Sequence, residues 1–135
     1  MSNKKSISTE IANSYSVQNT SIYIGKNWKP ISYSDTWAGL AISDTGKYAT
    51  AVSNNGPIYI SNDYSSSWNV INLIHKWSSV EMSVNGQYQV ACVFGGLIFL
   101  SSNYGVTWDV QLTPVKNWIN VSISGDGLTI YAIVI

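Results

Sequence analysis

Arginine is absent from this chain, and cysteine occurs once, proline three times and phenylalanine twice. Seven lysines balance seven acidic residues, so the net charge is zero and charged residues make up only 10%, against about a quarter in an average soluble domain. A nucleic-acid binder needs a basic face to offset phosphates, and this composition offers none. The single Cys92 cannot close an internal disulfide, so oxidation does not hold the fold together. No apolar run approaches the roughly 20 residues of a membrane-spanning helix. The opening residues Met1-Ser2-Asn3-Lys4-Lys5-Ser6 lack the apolar stretch of a signal peptide, which makes a cytoplasmic location the default expectation. A sustained helical period is also lacking.

What is present is repetition, with 45% apolar residues over 135 positions. Trp37, Trp77 and Trp118 are 40 and 41 residues apart; Trp28, Trp68 and Trp108 are each 40 apart. Gly46, Gly86 and Gly127 keep the register of the first series, as do Ala51, Ala91 and Ala132. Ile58-Tyr59-Ile60-Ser61 recurs as Ile98-Phe99-Leu100-Ser101, and earlier as Ile22-Tyr23-Ile24-Gly25. A fixed period of this length marks a repeat architecture.

Each unit reads as four short strands. In the first full copy these are 38–43, 47–53, 57–61 and 67–73, with turns at Asp44-Thr45-Gly46 and Asn54-Asn55-Gly56. Both turns carry the residue types that accept positive φ. Val90 to Phe94 and Tyr131 to Ile135 are apolar at successive positions, so both faces of these strands are expected to be covered by neighbouring sheets. The expectation is an all-β chain, a β-propeller of four-stranded blades. The divisions are an N-terminal arm (1–20), a half blade (21–36), two blades (37–76 and 77–117) and a half blade (118–135). The two halves add up to a third blade. Three blades cannot close a ring, since propellers usually have four to eight. A homodimer with six blades is therefore expected, in which each copy completes the other's open half blade. The Ser- and Asn-rich arm would either lie over the neighbouring subunit or stay mobile.

The turns between third and fourth strands carry a family likeness. Ser61-Asn62-Asp63-Tyr64-Ser65-Ser66-Ser67-Trp68 and Ser101-Ser102-Asn103-Tyr104-Gly105-Val106-Thr107-Trp108 resemble the Asp-box, Ser-x-Asp-x-Gly-x-Thr/Ser-Trp. That motif marks the BNR repeats of sialidase-like propellers, sortilin-type receptors and photosystem II assembly factor-like proteins. The likeness covers residues 22–135. It departs from the pattern at Ser65, where Gly is expected, at Asn103, where Asp is expected, and at the shortened turn Gly25-Lys26-Asn27-Trp28. In that family the boxes are peripheral and structural. The resemblance therefore gives Ser61, Asp63, Trp68, Ser101, Asn103, Gly105 and Trp108 a structural role.

The chemistry such a likeness brings to mind is largely excluded. A sialidase grips its substrate carboxylate with arginines, whose bidentate fork lysine reproduces poorly, and the chain has none. Other glycosidases need two carboxylates across a cleft. Of Glu10, Asp35, Asp44, Asp63, Glu81, Asp109 and Asp126, Asp44 and Asp126 sit in turns and Asp63 in the box, and the least explained are Asp35, before a unit-opening Trp, and Glu81, on an innermost strand. His75 and Cys92 have no partners at metal-ligand spacing. Gly95-Gly96 is a hairpin turn rather than a phosphate loop. No metal, cofactor, membrane or nucleic-acid partner is expected.

Aromatic surface remains. Trp37, Trp77 and Trp118 open each unit in loops that ring one face of a propeller. They either lock blade to blade or stack on a ligand such as a sugar ring, with Asp35, His75, Asn117 and the channel acid Glu81 as accompanying candidates. Three functions stay open: a non-enzymatic interaction module for a protein partner, a multivalent lectin, and a glycoside hydrolase using Glu81.

Overall fold

The computed structural model describes Ile31 and residues 34–135; the arm, the first half blade through residue 30 and Trp28 lie outside them. The residues from 34 onward belong to one compact unit, Ser32–Ile135. Eight strands follow in order: β1 (Trp37–Ile42), β2 (Ala49–Ser61), β3 (Asn69–Met82), β4 (Gln89–Gly96), β5 (Ile98–Ser101), β6 (Asp109–Val110), β7 (Lys116–Ile123) and β8 (Ile130–Val134). All pairings among them are antiparallel, and the described residues contain no helix.

The repeat is present in the backbone register. Leu40 faces Ala51, Val80 faces Ala91 and Val121 faces Ala132. The same irregularity follows the opening tryptophan each time, between Trp37 and Gly39, Trp77 and Ser79, Trp118 and Asn120. Such a bulge re-aims the side chain at the strand end. The hairpins that follow are built alike. Gly46, Gly86 and Gly127 have φ of 75°, 80° and 79°, which suits only glycine without cost. The hydroxyls of Ser43, Ser83 and Ser124 accept the N–H groups of Tyr48, Tyr88 and Thr129 at 3.0–3.1 Å. Neighbouring hairpins are laced by backbone bonds, Asp44 N–H to the Val84 carbonyl and Val84 N–H to that of Gly125, each 2.9 Å.

The strand boundaries differ from the sequence expectation in two places. β2 continues through Asn54-Asn55-Gly56 because the turn residues themselves pair with Lys76 and His75 of β3. It still reverses there: Asn55 has φ of 60°, and a Cβ on Gly56 would collide with Ser53. β3 runs unbroken from the fourth strand of one unit into the first strand of the next. Its start pairs with β2 and its end with β4. The link recurs where Phe94 and Gly96 of β4 pair with Asn117 and Lys116 of β7.

Packing occurs between sheets. One cluster gathers Ala41, Val52, Ile58 and Ile60 against Trp77, Val80, Met82 and Phe99. A second gathers Val90, Cys92 and Ile98 against Val121. β4 is thus covered on both faces, Ala91 and Val93 in the first cluster, Val90 and Cys92 in the second. β8 departs from that expectation. Ala132 packs inward, but Tyr131 and Ile133 are exposed, since no sheet follows β8 among the described residues.

Candidate functional site

The strand directions sort the loops into two ends. The serine-glycine hairpins and the box-like loops share one end, where Tyr64 and Tyr104 N–H groups reach the carbonyls of Lys47 and Gln87. The tryptophans at the strand openings and the turn at Asn54–Gly56 occupy the other.

At the box-like loops the polar side chains serve the backbone. Asp63 Oδ1 accepts the N–H groups of Ser66 (3.1 Å) and Ser67 (2.9 Å) and the Ser61 hydroxyl (2.9 Å), while Oδ2 accepts the Ser67 hydroxyl (2.7 Å). These bonds, the Ser67 hydroxyl first, lower the carboxyl from 3.8 to about 2, because each favours the charged form. Asn103 reproduces the arrangement without charge: Oδ1 accepts the Thr107 N–H (2.9 Å) and Ser101 hydroxyl (3.0 Å), and Nδ2 donates to Thr107 Oγ1 (2.8 Å). Gly105 has φ of 82°; Ser65 holds a similar conformation at 61°, where a side chain costs more. Trp108 donates its indole N–H to the Gly105 carbonyl (2.8 Å). Trp68 is half-buried.

At the opposite end the three opening tryptophans differ. Trp77 is 1% exposed, donates to the carbonyls of Gly56 (3.1 Å) and Leu73 (3.2 Å), and meets Phe99 edge-on with centroids 5.2 Å apart. Trp118 is half-buried against the second cluster and donates to the Pro114 carbonyl at 3.3 Å. Trp37 is exposed, its ring edge-on to Tyr59 at 5.0 Å. Trp37 and Trp77 border one groove of about 380 Å³, together with Asn54, Lys76 and Phe94. Lys76 holds its ammonium over the Phe94 ring, 4.4 Å from the centroid, an attractive arrangement for a cation. Asn54 Oδ1 is buried there with no hydrogen-bond partner among the described residues.

The other sequence candidates are placed around this groove rather than in it. Asp35 accepts the Thr36 N–H (2.7 Å) and the Tyr59 hydroxyl (2.9 Å), and those two bonds lower its carboxyl. His75 is half-buried between the rings of Trp77 (5.2 Å) and Phe99 (5.0 Å). It borders a separate apolar hollow of about 220 Å³ with Val93, Leu97 and Val115. Asn117 is exposed, and its carbonyl accepts the Ile135 N–H at 3.3 Å. Glu81 is four positions along β3 from Trp77, or about 13 Å in an extended strand. Burial raises its carboxyl, opposed by the Met82 N–H. Among the described residues no three His, Cys, Asp or Glu side chains gather where they could hold a metal.

Sequence reasoning passed over Asn54, Lys76 and Phe94. A signal did exist, since Asn54 and Phe94 occupy the same repeat position. A polar residue where the next unit has an aromatic marks the gap between the two as asymmetric.

No protein-family model matches the sequence, and no curated protein matches it. Solved structures do. YCF48 from Cyanidioschyzon merolae superposes with a TM-score of 0.56 at 15% identity, over 76% of this chain and 38% of that one. A YCF48 bound to a D1 peptide gives 0.57 at 14%, over 78% and 44%. Four-stranded units joined through shared strands, in this superposition, decide the architecture. The chain has a β-propeller fold. It spans about two fifths of the length of those propellers. Within such a propeller the groove at Trp37 lies at the seam between two successive units, and the box-like loops lie at the other end of the same strands.

Proposed function

We propose that this chain is a non-enzymatic propeller module of the Asp-box type, that it binds a protein partner through the groove at Trp37, and that a second copy completes its ring. The observation that carries the binding reading is the groove's composition. Two aromatic walls, a lysine and a buried acceptor without a partner suit an extended peptide, which presents an N–H at every residue. Asn54 Oδ1 is closed off from solvent, so a peptide N–H reaches it once the Asn54 side chain turns toward the groove, relieving an unpaired group that otherwise costs about 1–3 kcal/mol. The solved propeller described as bound to a D1 peptide shows that a protein of this fold takes a peptide ligand. The acidic residues support the non-enzymatic part: Asp35 and Asp63 are committed to local hydrogen bonds, and Glu81 stands about 13 Å along its strand from the groove's tryptophan.

The test is selection of peptides from a random display library on the immobilised chain, followed by titration calorimetry. Trp37→Ala and Asn54→Ala are each expected to weaken the selected peptide about tenfold, the equivalent of one lost hydrogen bond or stacking contact. A library that yields no binder overturns the reading. So does a glycan array on which sugars bind and are lost with Trp37→Ala, which would establish the lectin instead.

A further inference from the structure

The interior of this propeller is made of seams between successive units, and repeat-equivalent residues show what a completed seam looks like. On the side of a unit that meets its predecessor, Val80 is 2% and Met82 8% exposed, and Val121 is again 2%. Their equivalents in the first unit, Leu40 and Ile42, are 59% and 61% exposed. On the side that meets the successor, Val90 and Cys92 are 0% exposed. Their equivalents in the last unit, Tyr131 and Ile133, are 74% and 54% exposed. One end therefore presents the left half of a seam and the other end the right half, both apolar.

We infer that these two faces are each other's partners, brought together by a second copy: Ile133 of one copy packs on Leu40 of the other, and Tyr131 on Ile42. This rests on the ring-closure part of the proposal above and names the contacts. The pairing continues a seam already built twice within the chain. Val52 shares the first cluster with Val80, and Cys92 shares the second with Val121; Ile133 and Leu40 are the next pair in that series. The backbone supports the same match. The hairpin ladder runs from Asp44 N–H to Val84 and from Val84 N–H to Gly125. Its next rung joins the Gly125 N–H of one copy to the Asp44 carbonyl of the other. A two-fold axis makes both seams at once, so neither apolar end is left to aggregate.

The experiment is sedimentation of the full 135-residue chain at micromolar concentration, with a urea melt at two concentrations. The expected mass is twice 14.8 kDa, with a midpoint that rises with protein concentration. Leu40→Glu and Ile133→Lys, made singly, are each expected to shift the mass to that of one chain. Combined in one chain they set a carboxylate against an ammonium at both seams, and at least tenfold tighter association than in either single variant is expected. A wild-type chain of single mass with a concentration-independent midpoint overturns the inference. A dimer indifferent to both substitutions overturns it as well, and so does folded single variants with no rescue in the double. If the single variants do not fold, the wild-type mass and midpoint decide alone. Peptide binding by a monomer would leave the binding reading standing while this one falls; a dimer that binds no peptide does the reverse.

Discussion

The clearest energetic test concerns Gln89, a fully buried amide at the first seam. Its Oε1 accepts the Thr50 hydroxyl at 2.7 Å across the seam, and its Nε2 donates to the Gly86 carbonyl at 3.0 Å. Gln89→Leu keeps the volume but orphans both groups. At about 1–3 kcal/mol for each buried group left unpaired, the loss should be about 2–6 kcal/mol. Thr50→Val strands only the Gln89 acceptor and should cost about 1–3 kcal/mol. The double variant removes both ends of the shared bond, so its cost should fall short of the sum by about 1–2 kcal/mol. In thermal melts followed by tryptophan fluorescence, Gln89→Leu should lower Tm by roughly 8–24 °C, at about 4 °C per kcal/mol for a domain of this size. Additivity within about 0.5 kcal/mol would refute the reasoning, because it would mean the two side chains do not share a bond.

Four further outcomes follow from named residues. Trp77→Ala should destabilise by about 3–5 kcal/mol in urea melts, whereas Trp37→Ala should cost no more than about 1 kcal/mol; equal costs would contradict their different burial. Asp63 titrates at about 2 when folded against 3.8 otherwise, so its stabilisation is full above that ordinary value and fades as pH falls through 2. Asp63→Asn should therefore be less stable than wild type at pH 5, with the gap closing towards pH 2, and parallel pH profiles would defeat the assignment. Glu81 carries the opposite sign: its raised carboxyl favours the fold below its ordinary value, and that favour is lost as pH rises through the folded value. Burial pushes the Cys92 thiol up, so it should resist Ellman's reagent until urea unfolds the chain. Rapid stoichiometric labelling of the native protein would show the second seam to be open.

Much of this was legible because the repeat reports it more than once. The turns at Gly46, Gly86 and Gly127 could be placed from spacing alone, and all three glycines have positive φ. The box-like loops were visible as residue types, and Asp63 and Asn103 make the backbone bonds those types favour. The repeat concealed what differs between copies. It treats Trp37, Trp77 and Trp118 as equal, but Trp77 is buried in the first cluster and Trp37 is exposed. Gln89 escaped notice because its equivalents are Ala49 and Ile130, so no pattern announces a buried polar bridge. The alignment of the hairpins shows only in the folded structure. Asp126 takes the place of Thr45 and Asn85, each accepting the N–H two residues on, and Asp44 sits one position earlier, beside Val84 and Gly125.

The continuity of β3 has a consequence for how this molecule comes apart. Fourteen residues belong at one end to one sheet and at the other to the next, so neither sheet can open its shared edge without disturbing its neighbour. Repeat proteins behave as chains of coupled elements, and here the coupling is covalent as well as packed. Opening of one sheet should therefore be shared with its neighbour, and the amides of β3 and β4 should exchange late and together.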